Sequence, residues 1–195
     1  MLDGNGSGAL RDSTEVAAGT NHLGTDQVVL RRLTPADAPA LHRVTGDRLA
    51  MRYWHPGPDA DVAAAESRIA EIEAHWRRHG FGDWAVLDRA SAEVIGFAGL
   101  HHIAGMVAVN VGYVLAPSHW RRGIGGELCR LLLDRGFARL ELPEVVAVID
   151  PRNAASLALA AACGLTLRER RTWQGQPRVV YAMTRADWEA MVGSI

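Results

Sequence analysis

Gly123, Gly125 and Gly126 stand directly behind a pair of arginines, Arg121 and Arg122, where a strand-like run gives way to a helix-like one. The first N–H groups of a helix find no partner within it, and the helix dipole adds partial positive charge at that end. Glycines strip side chains away on both sides of Ile124, and two guanidiniums stand beside the turn. Bare amides, a positive dipole end and arginines suit a phosphate or pyrophosphate. Two well-known phosphate loops do not fit. A P-loop needs Lys-Ser or Lys-Thr after its last glycine, and Glu127-Leu128 follows here. A dinucleotide fingerprint needs glycine where Leu128 stands and its glycines directly after the strand, not seven residues beyond it, although Asp150 at the end of a later apolar run imitates its ribose-binding acid. A plain turn and helix start is the remaining reading of these glycines. His75 and His79 also have metal-ligand spacing, but no third ligand is in view; they read as a solvated helix face and no metal is expected.

The glycines need a strand before them and a helix behind. Val109 to Leu115 supplies the strand: Val111, Tyr113 and Leu115 alternate with Asn110, Gly112 and Val114, and Pro117 bars its continuation. Ile124 to Leu140 supplies the helix, burying Ile124, Leu128, Leu131 and Leu132. Upstream, Val28 to Leu33 is the first strand, and Thr34-Pro35-Ala36-Asp37 opens a helix with Ala38, Leu41 and Val44 inward. The segment MRYWHPGP (51–58) leads to a longer helix with Val62, Ala65, Ile69, Ile72 and Trp76 on one stripe. Trp84 to Leu87 and Val94 to His101 are strands joined by short, antiparallel-type connections. Glu144 to Ile149 is apolar on both faces, so central in the sheet. Asn153 caps a helix that ends at Gly164; Leu165 to Trp173 and Arg178 to Thr184 form a hairpin; Asp187 to Val192 adds a last turn or helix. The sum is an α/β chain: a mixed sheet, helices on both faces, and a strand–helix–strand crossover joining two parallel strands.

Composition bounds the function. One domain with a real core fits 195 residues, 48% hydrophobic and 22% charged. A net charge of −1 offers no electrostatic case for nucleic acid or an anionic membrane, and no apolar run is long enough to span a bilayer. Cys129 and Cys163 imply no disulfide framework and fit buried thiols in a reducing, cytoplasmic compartment. Residues 1–27, rich in Gly, Ser, Thr, Asp and Asn, read as a flexible extension preceding a domain over 28–195, and not as a secretory signal.

Gly112-Tyr113, Pro117, Trp120-Arg121-Arg122-Gly123-Ile124-Gly125, Asn153-Ala154-Ala155-Ser156 and Gly164-Leu165 follow one another in fixed order. In that ordered set the chain resembles the GCN5-related N-acetyltransferase (GNAT) superfamily, in particular the branch of ribosomal-protein alanine acetyltransferases. The likeness extends to LRRLTPADAPAL (30–41) and to the Gly82 to Gly99 segment, so it covers about Val28 to the C-terminus. It implies the acyl-CoA N-acyltransferase fold, whose two central parallel strands splay at Tyr113 to Leu115 and Val148 to Asp150, with acetyl-coenzyme A in the notch. Carried over, Tyr113, Val114 and Leu115 border the pantetheine arm, which pairs like an added strand. Arg121, Arg122, Gly123, Ile124, Gly125 and Gly126 hold the pyrophosphate. Asn153 reaches the arm and Ser156 sits near the sulfur, where helix capping and ordinary polar surface are the plainer roles.

The activity so implied is direct transfer of acetyl from the thioester to a primary amine, without metal, in a ternary complex. Two positions depart from the family pattern: the strand acid is Asn110, and the helix tyrosine used as a general acid is Ala160. Ser156 is then the one hydroxyl on that helix able to assist the departing thiol. His101 and His102 lead as general base, of which alternation turns one toward the cleft, and Asp150 is third. Trp54 and His55 offer a flat face and a polar tip for the amine acceptor, a small molecule or a peptide. A binding module that keeps acyl-CoA without turnover is the alternative, and a Rossmann-type nucleotide domain a distant one. An edge strand at either end of the sheet offers a route to a homodimer.

Overall fold

Eight strands share one sheet in the computed structural model, which describes residues 23–193. They are β1 (Leu23–Gly24), β2 (Val28–Arg31), β3 (Asp83–Asp88), β4 (Val94–His102), β5 (Val109–Leu115), β6 (Glu144–Ile149), β7 (Thr166–Trp173) and β8 (Gln176–Thr184). Their spatial order is β1-β2-β3-β4-β5-β6-β8-β7, antiparallel throughout except for β5 and β6. That parallel pair is the expected crossover, made through α3 (Ile124–Asp134). The other helices are α1 (Ala38–Thr45), α2 (Val62–His79), α4 (Ala154–Ala162) and α5 (Arg185–Val192).

The sequence places most of these elements, and the differences have local causes. The expected flexible extension lies outside the described residues up to residue 22; Leu23–Gly24, by contrast, pairs with β2 as a short edge strand. The helix expected to run from Ile124 to Leu140 leaves α-geometry at Asp134 and continues as a π-turn over Arg135–Arg139. Gly136 in this turn packs close against the sheet, where a Cβ would lie 3.2 Å from Val145 and 3.4 Å from Leu100. The last hairpin is tighter than the sequence suggests. Gln174 and Gly175 both have positive φ, the two-residue turn that matches strand twist, and Pro177 falls inside β8.

Helices cover both faces. Phe97 of β4 meets the ring of Trp54 and the guanidinium of Arg68, from the connection after α1 and from α2. Leu100, of opposite parity on the same strand, faces Gly136 behind α3. Between these layers one continuous core buries Leu30, Leu41, Met51, Ile69, Trp84, Leu128, Leu132 and Phe137. Asp61 caps α2 by accepting the Ala64 N–H, and Asn153 caps α4 by accepting the Ser156 N–H. Among the described residues no helix is long and apolar enough to cross a membrane.

Candidate active site

β5 and β6 pair only at Val109 with Val145 and Asn110 with Val146; beyond that point the ladder stops and the strands part. Asn110 is the reason the gap is tolerated. Its Oδ1 accepts the Val148 N–H at 3.0 Å, taking over a backbone donor that a continued ladder would have given to a β5 carbonyl. A side chain thus satisfies the first orphaned amide at the fork. Asn110→Ala is expected to leave that amide unpartnered and to cost about 1–3 kcal/mol in denaturant unfolding. Asn110→Asp keeps an acceptor for it and should recover part of the loss; equal destabilisation by both would mean the hydrogen bond is not what holds the fork.

Past the fork lies a cleft of about 640 Å³. Its walls include Tyr113, Val114 and Leu115 of β5, Ala147 to Asp150 at the end of β6, Asn153, Ser156 and Ala160 of α4, and the turn into α3. Ala116 N–H donates to Ile95 O, and the β4–β5 register runs on without a slip. Antiparallel alternation then directs the amides of Asn110, Gly112 and Val114 to β4, and those of Val111, Tyr113 and Leu115 toward the gap. The notch-facing amides beside Val114 are therefore those of Tyr113 and Leu115.

The turn into α3 has the backbone geometry that suits an anion. Arg121 and Gly123 both take left-handed φ, 60° and 81°, and backbones of this kind gather N–H groups into anion-binding concavities. Gly123 is the N-cap and no side chain caps the helix; Gly126 N–H donates to Gly123 O at 3.0 Å, which leaves the Ile124 and Gly125 amides as the free opening donors. Gly125 is packed close: a Cβ there would stand 3.3 Å from Leu159 and 3.7 Å from Tyr113. Three braces hold the turn. Trp120 Nε1 donates to Leu115 O at 2.8 Å, and Asp88 lies 3.6 Å from His119 and 3.7 Å from Arg122. Gln27 Nε2 donates to Arg122 O at 3.1 Å and to Glu127 at 2.6 Å, and Thr25 donates its hydroxyl to Glu127 as well. Thr25 and Gln27 fall within the stretch read from composition as an extension, and nothing local to them announces this contact. Gln27→Ala is expected to loosen the turn, weakening pyrophosphate binding severalfold with little change in global stability; calorimetric titration against denaturation measures both.

A chain of proton-handling groups lies behind the fork and reaches the cleft only through Asn110; His101 itself does not line the cleft. Asp83 Oδ1 lies 3.0 Å from His101 Nδ1, and His101 Nε2 lies 3.1 Å from Asn110 Nδ2. Because Asn110 Oδ1 already accepts from Val148, its Nδ2 must donate, so His101 Nε2 accepts and Nδ1–H donates to Asp83. Two glycines clear the path. Asp83 reaches over Gly99, where a Cβ would come within 2.4 Å of it, and the His101 ring reaches over Gly112, where a Cβ would be 3.0 Å away. Burial depresses the basicity of His101, but the Asp83 charge and hydrogen bond outweigh it, leaving the imidazole above its ordinary value. Asp83 was not singled out in the sequence; the signal was the glycine at the paired positions Gly99 and Gly112.

The remaining candidates fall on different sides. Gly123, Ile124, Gly125, Gly126, Arg121, Asn153, Ser156, Asp150 and Trp54 all line the cleft; Arg122 and His55 do not. Arg122 leans toward Asp88, and the His55 ring lies 6.4 Å from Trp173. His102 also lies off the cleft, its ring 4.6 Å from His79 and 5.9 Å from His75. The expected solvated face of α2 is thus a packed histidine cluster, with His75 and His79 half-buried and His102 exposed, in which His75 bonds Phe81 O and accepts the His102 N–H. With both ring nitrogens of His75 engaged, it makes no ligand set, and no metal-binding group of side chains occurs among the described residues. Asp150 is held by Arg152 through two bonds of 2.9 and 2.7 Å and approached by Arg178 at 3.5 Å, which keeps its carboxyl below the usual range and makes it a poor base. Burial raises the Tyr113 phenol above its ordinary value, so it stays protonated, with the Ser156 hydroxyl beside it.

A model of the acetyltransferase (GNAT) domain matches residues 27–166. The chain belongs to the GNAT acetyltransferase family. It is 29% identical over 160 residues to the uncharacterized N-acetyltransferase YoaA of Bacillus subtilis, covering 80% of this chain and 90% of that one. An acetyltransferase structure from Agrobacterium tumefaciens superposes with a TM-score of 0.73 at 26% identity, covering 87% and 98%. The ribosomal-protein-S5-alanine acetyltransferase of Vibrio fischeri shares the fold at 18% identity, with a TM-score of 0.71 over 86% and 98% of the two chains. An N-acetyltransferase of this family has no place for the Rossmann alternative, and its mixed, mostly antiparallel sheet agrees.

Proposed function

We propose that this acetyltransferase moves an acetyl group from acetyl-coenzyme A to a primary amine by direct attack in a ternary complex. The observation that carries the reading is the fork itself: a parallel pair unzipped beyond Asn110 and Val146, opening beside an uncapped, glycine-lined helix start. Acetyl-coenzyme A, as co-substrate, supplies a thioester whose pyrophosphate suits Arg121, Gly123, Ile124, Gly125 and Gly126. Tyr113 and Leu115 amides suit its extended arm and the oxyanion that forms on attack. Asn153 and Ser156 lie along the same wall.

In this scheme the amine nitrogen forms a bond to the thioester carbonyl carbon, the C–S bond breaks, and the thiolate leaves. His101 Nε2 takes the amine proton, and Asp83 steadies the resulting imidazolium. Because His101 Nε2 accepts from Asn110 Nδ2 at rest, the Asn110 amide must turn away before the proton arrives, releasing Val148 for the moment, and then offers its oxygen to the new N–H. The Tyr113 and Ser156 hydroxyls are the donors nearest the departing thiol. Asn110, which in the sequence looks like a missing base, has work of its own at the fork, so its identity does not argue for a binding module without turnover.

The deciding measurement is thiol release from acetyl-coenzyme A against a panel of amines. Amine-dependent release with formation of the N-acetyl product is expected. Tight binding of the co-substrate without release for any amine would overturn the proposal in favour of a binding role.

A further inference from the structure

The charge of the cleft restricts which amine can enter it. Asp150 is the single carboxylate among the described residues lining it, and Arg152 and Arg178 engage its two oxygens. Arg52 and Arg121 line the same cleft, and neither joins any ion pair among the described residues. Arg121 is part of the anion-binding turn. Arg52 comes from the opposite wall, the connection between α1 and α2, with its guanidinium 4.6 Å from the centre of the Tyr53 ring and 5.7 Å from that of Trp120. Arg152 approaches the same Tyr53 ring at 6.0 Å. Tyr53 therefore stands between the Arg52 guanidinium, which neighbours Trp120 after β5, and the Arg152 guanidinium after β6.

A polyamine entering here would meet two arginines and no free carboxylate, a like-charge arrangement that excludes partners. An amine carrying a carboxylate would instead find a planar guanidinium already laid on an aromatic face, the geometry that takes carboxylates in a bidentate grip. Positive surroundings also favour the neutral form of the amine, which is the form that attacks. We infer that the acceptor is an amine bearing a carboxylate, gripped by Arg52 beside Tyr53, and that polycationic amines are refused. This rests on the acetyl-transfer reading above. The shared chemistry has two sources, a free amino acid with its α-carboxylate or a peptide N-terminus followed by an acidic side chain.

The test is thiol release from acetyl-coenzyme A with glutamate and phenylalanine, their carboxamides, dipeptide amides with and without an acidic second residue, and spermidine. Carboxylate-bearing acceptors should exceed their neutral counterparts by about tenfold or more in kcat/KM, with spermidine slowest. Amino acids against peptide amides show which source supplies the carboxylate. Arg52→Gln, at an exposed position, should erase that preference by raising the acceptor KM, while the KM for acetyl-coenzyme A stays within about twofold. Faster turnover of spermidine, or of the carboxamides, overturns the inference. So does an Arg52→Gln variant that loses affinity for acetyl-coenzyme A and keeps its acceptor preference, because Arg52 then serves the phosphates. Release with spermidine alone would sink this inference and leave acetyl transfer standing; no release with any acceptor sinks both.

Discussion

Gly125→Trp is expected to abolish binding of acetyl-coenzyme A while leaving the protein folded. Even a Cβ at this position comes within 3.3 Å of Leu159 and 3.7 Å of Tyr113, so an indole has nowhere to go but out over the helix opening. There it covers the free amides of α3 and fills the space between them and Arg121. Calorimetric titration should show at least about a hundredfold loss of affinity, equivalent to about 2.7 kcal/mol. A thermal unfolding transition near that of the unaltered protein would show that the loss is local. Undiminished affinity would mean that the phosphates lie elsewhere, and the account of the fork as the co-substrate site would go with it. Gly126 offers a graded companion. Its nearest neighbours are the Arg130 guanidinium at 3.4 Å and Leu159 at 3.5 Å, so Gly126→Ala asks less of the packing and should cost far less affinity.

What the sequence disclosed of this site, and what it withheld, follows from the range of each interaction. The glycine turn is legible because strand alternation, Pro117 and three glycines act within one short stretch. The mixed sheet and crossover are legible for the same reason, each element carrying its own period and caps. The wedge role of Asn110 is not, since its partner Val148 is 38 residues away and the bond exists only because the strands fail to pair. Asp83 looks like any acid at a strand start; only the register of β3, β4 and β5 brings it across Gly99 to His101. Thr25 and Gln27 sit in a polar run whose composition suggests no structure, yet their partners on Arg122 and Glu127 lie about a hundred residues on. Alternation puts His101 and His102 on opposite faces of β4, and neither lines the cleft that one of them was expected to face. It could not say which one reaches Asn110 at the fork, because that depends on Asn110 standing opposite His101 and on α2 bringing His75 and His79 to His102.

Asp83→Asn and His101→Gln together separate a working base from a structural histidine. With His101 as the base, kcat/KM rises with pH as the imidazole loses its proton. Because Asp83 holds that imidazole above its ordinary value despite burial, the rising limb should fall above about 6.5. Removing the carboxylate charge by Asp83→Asn removes the stabilisation of the protonated ring, so the limb must move to lower pH. Its plateau should drop too, since the weaker base is no longer steadied in one tautomer. His101→Gln keeps a polar side chain near Asn110 and removes the titrating group; the expected loss is about a hundredfold, at the low end for a general base, and the limb should vanish. Gln is close enough in size that the fold should survive, which thermal unfolding checks. A histidine that merely braces the fork would behave otherwise: His101→Gln would lower stability or co-substrate affinity, and the limb would stay where it was. A limb that persists in His101→Gln and vanishes in Asp83→Asn would assign the proton to Asp83 itself, and the role given to the imidazole would be withdrawn.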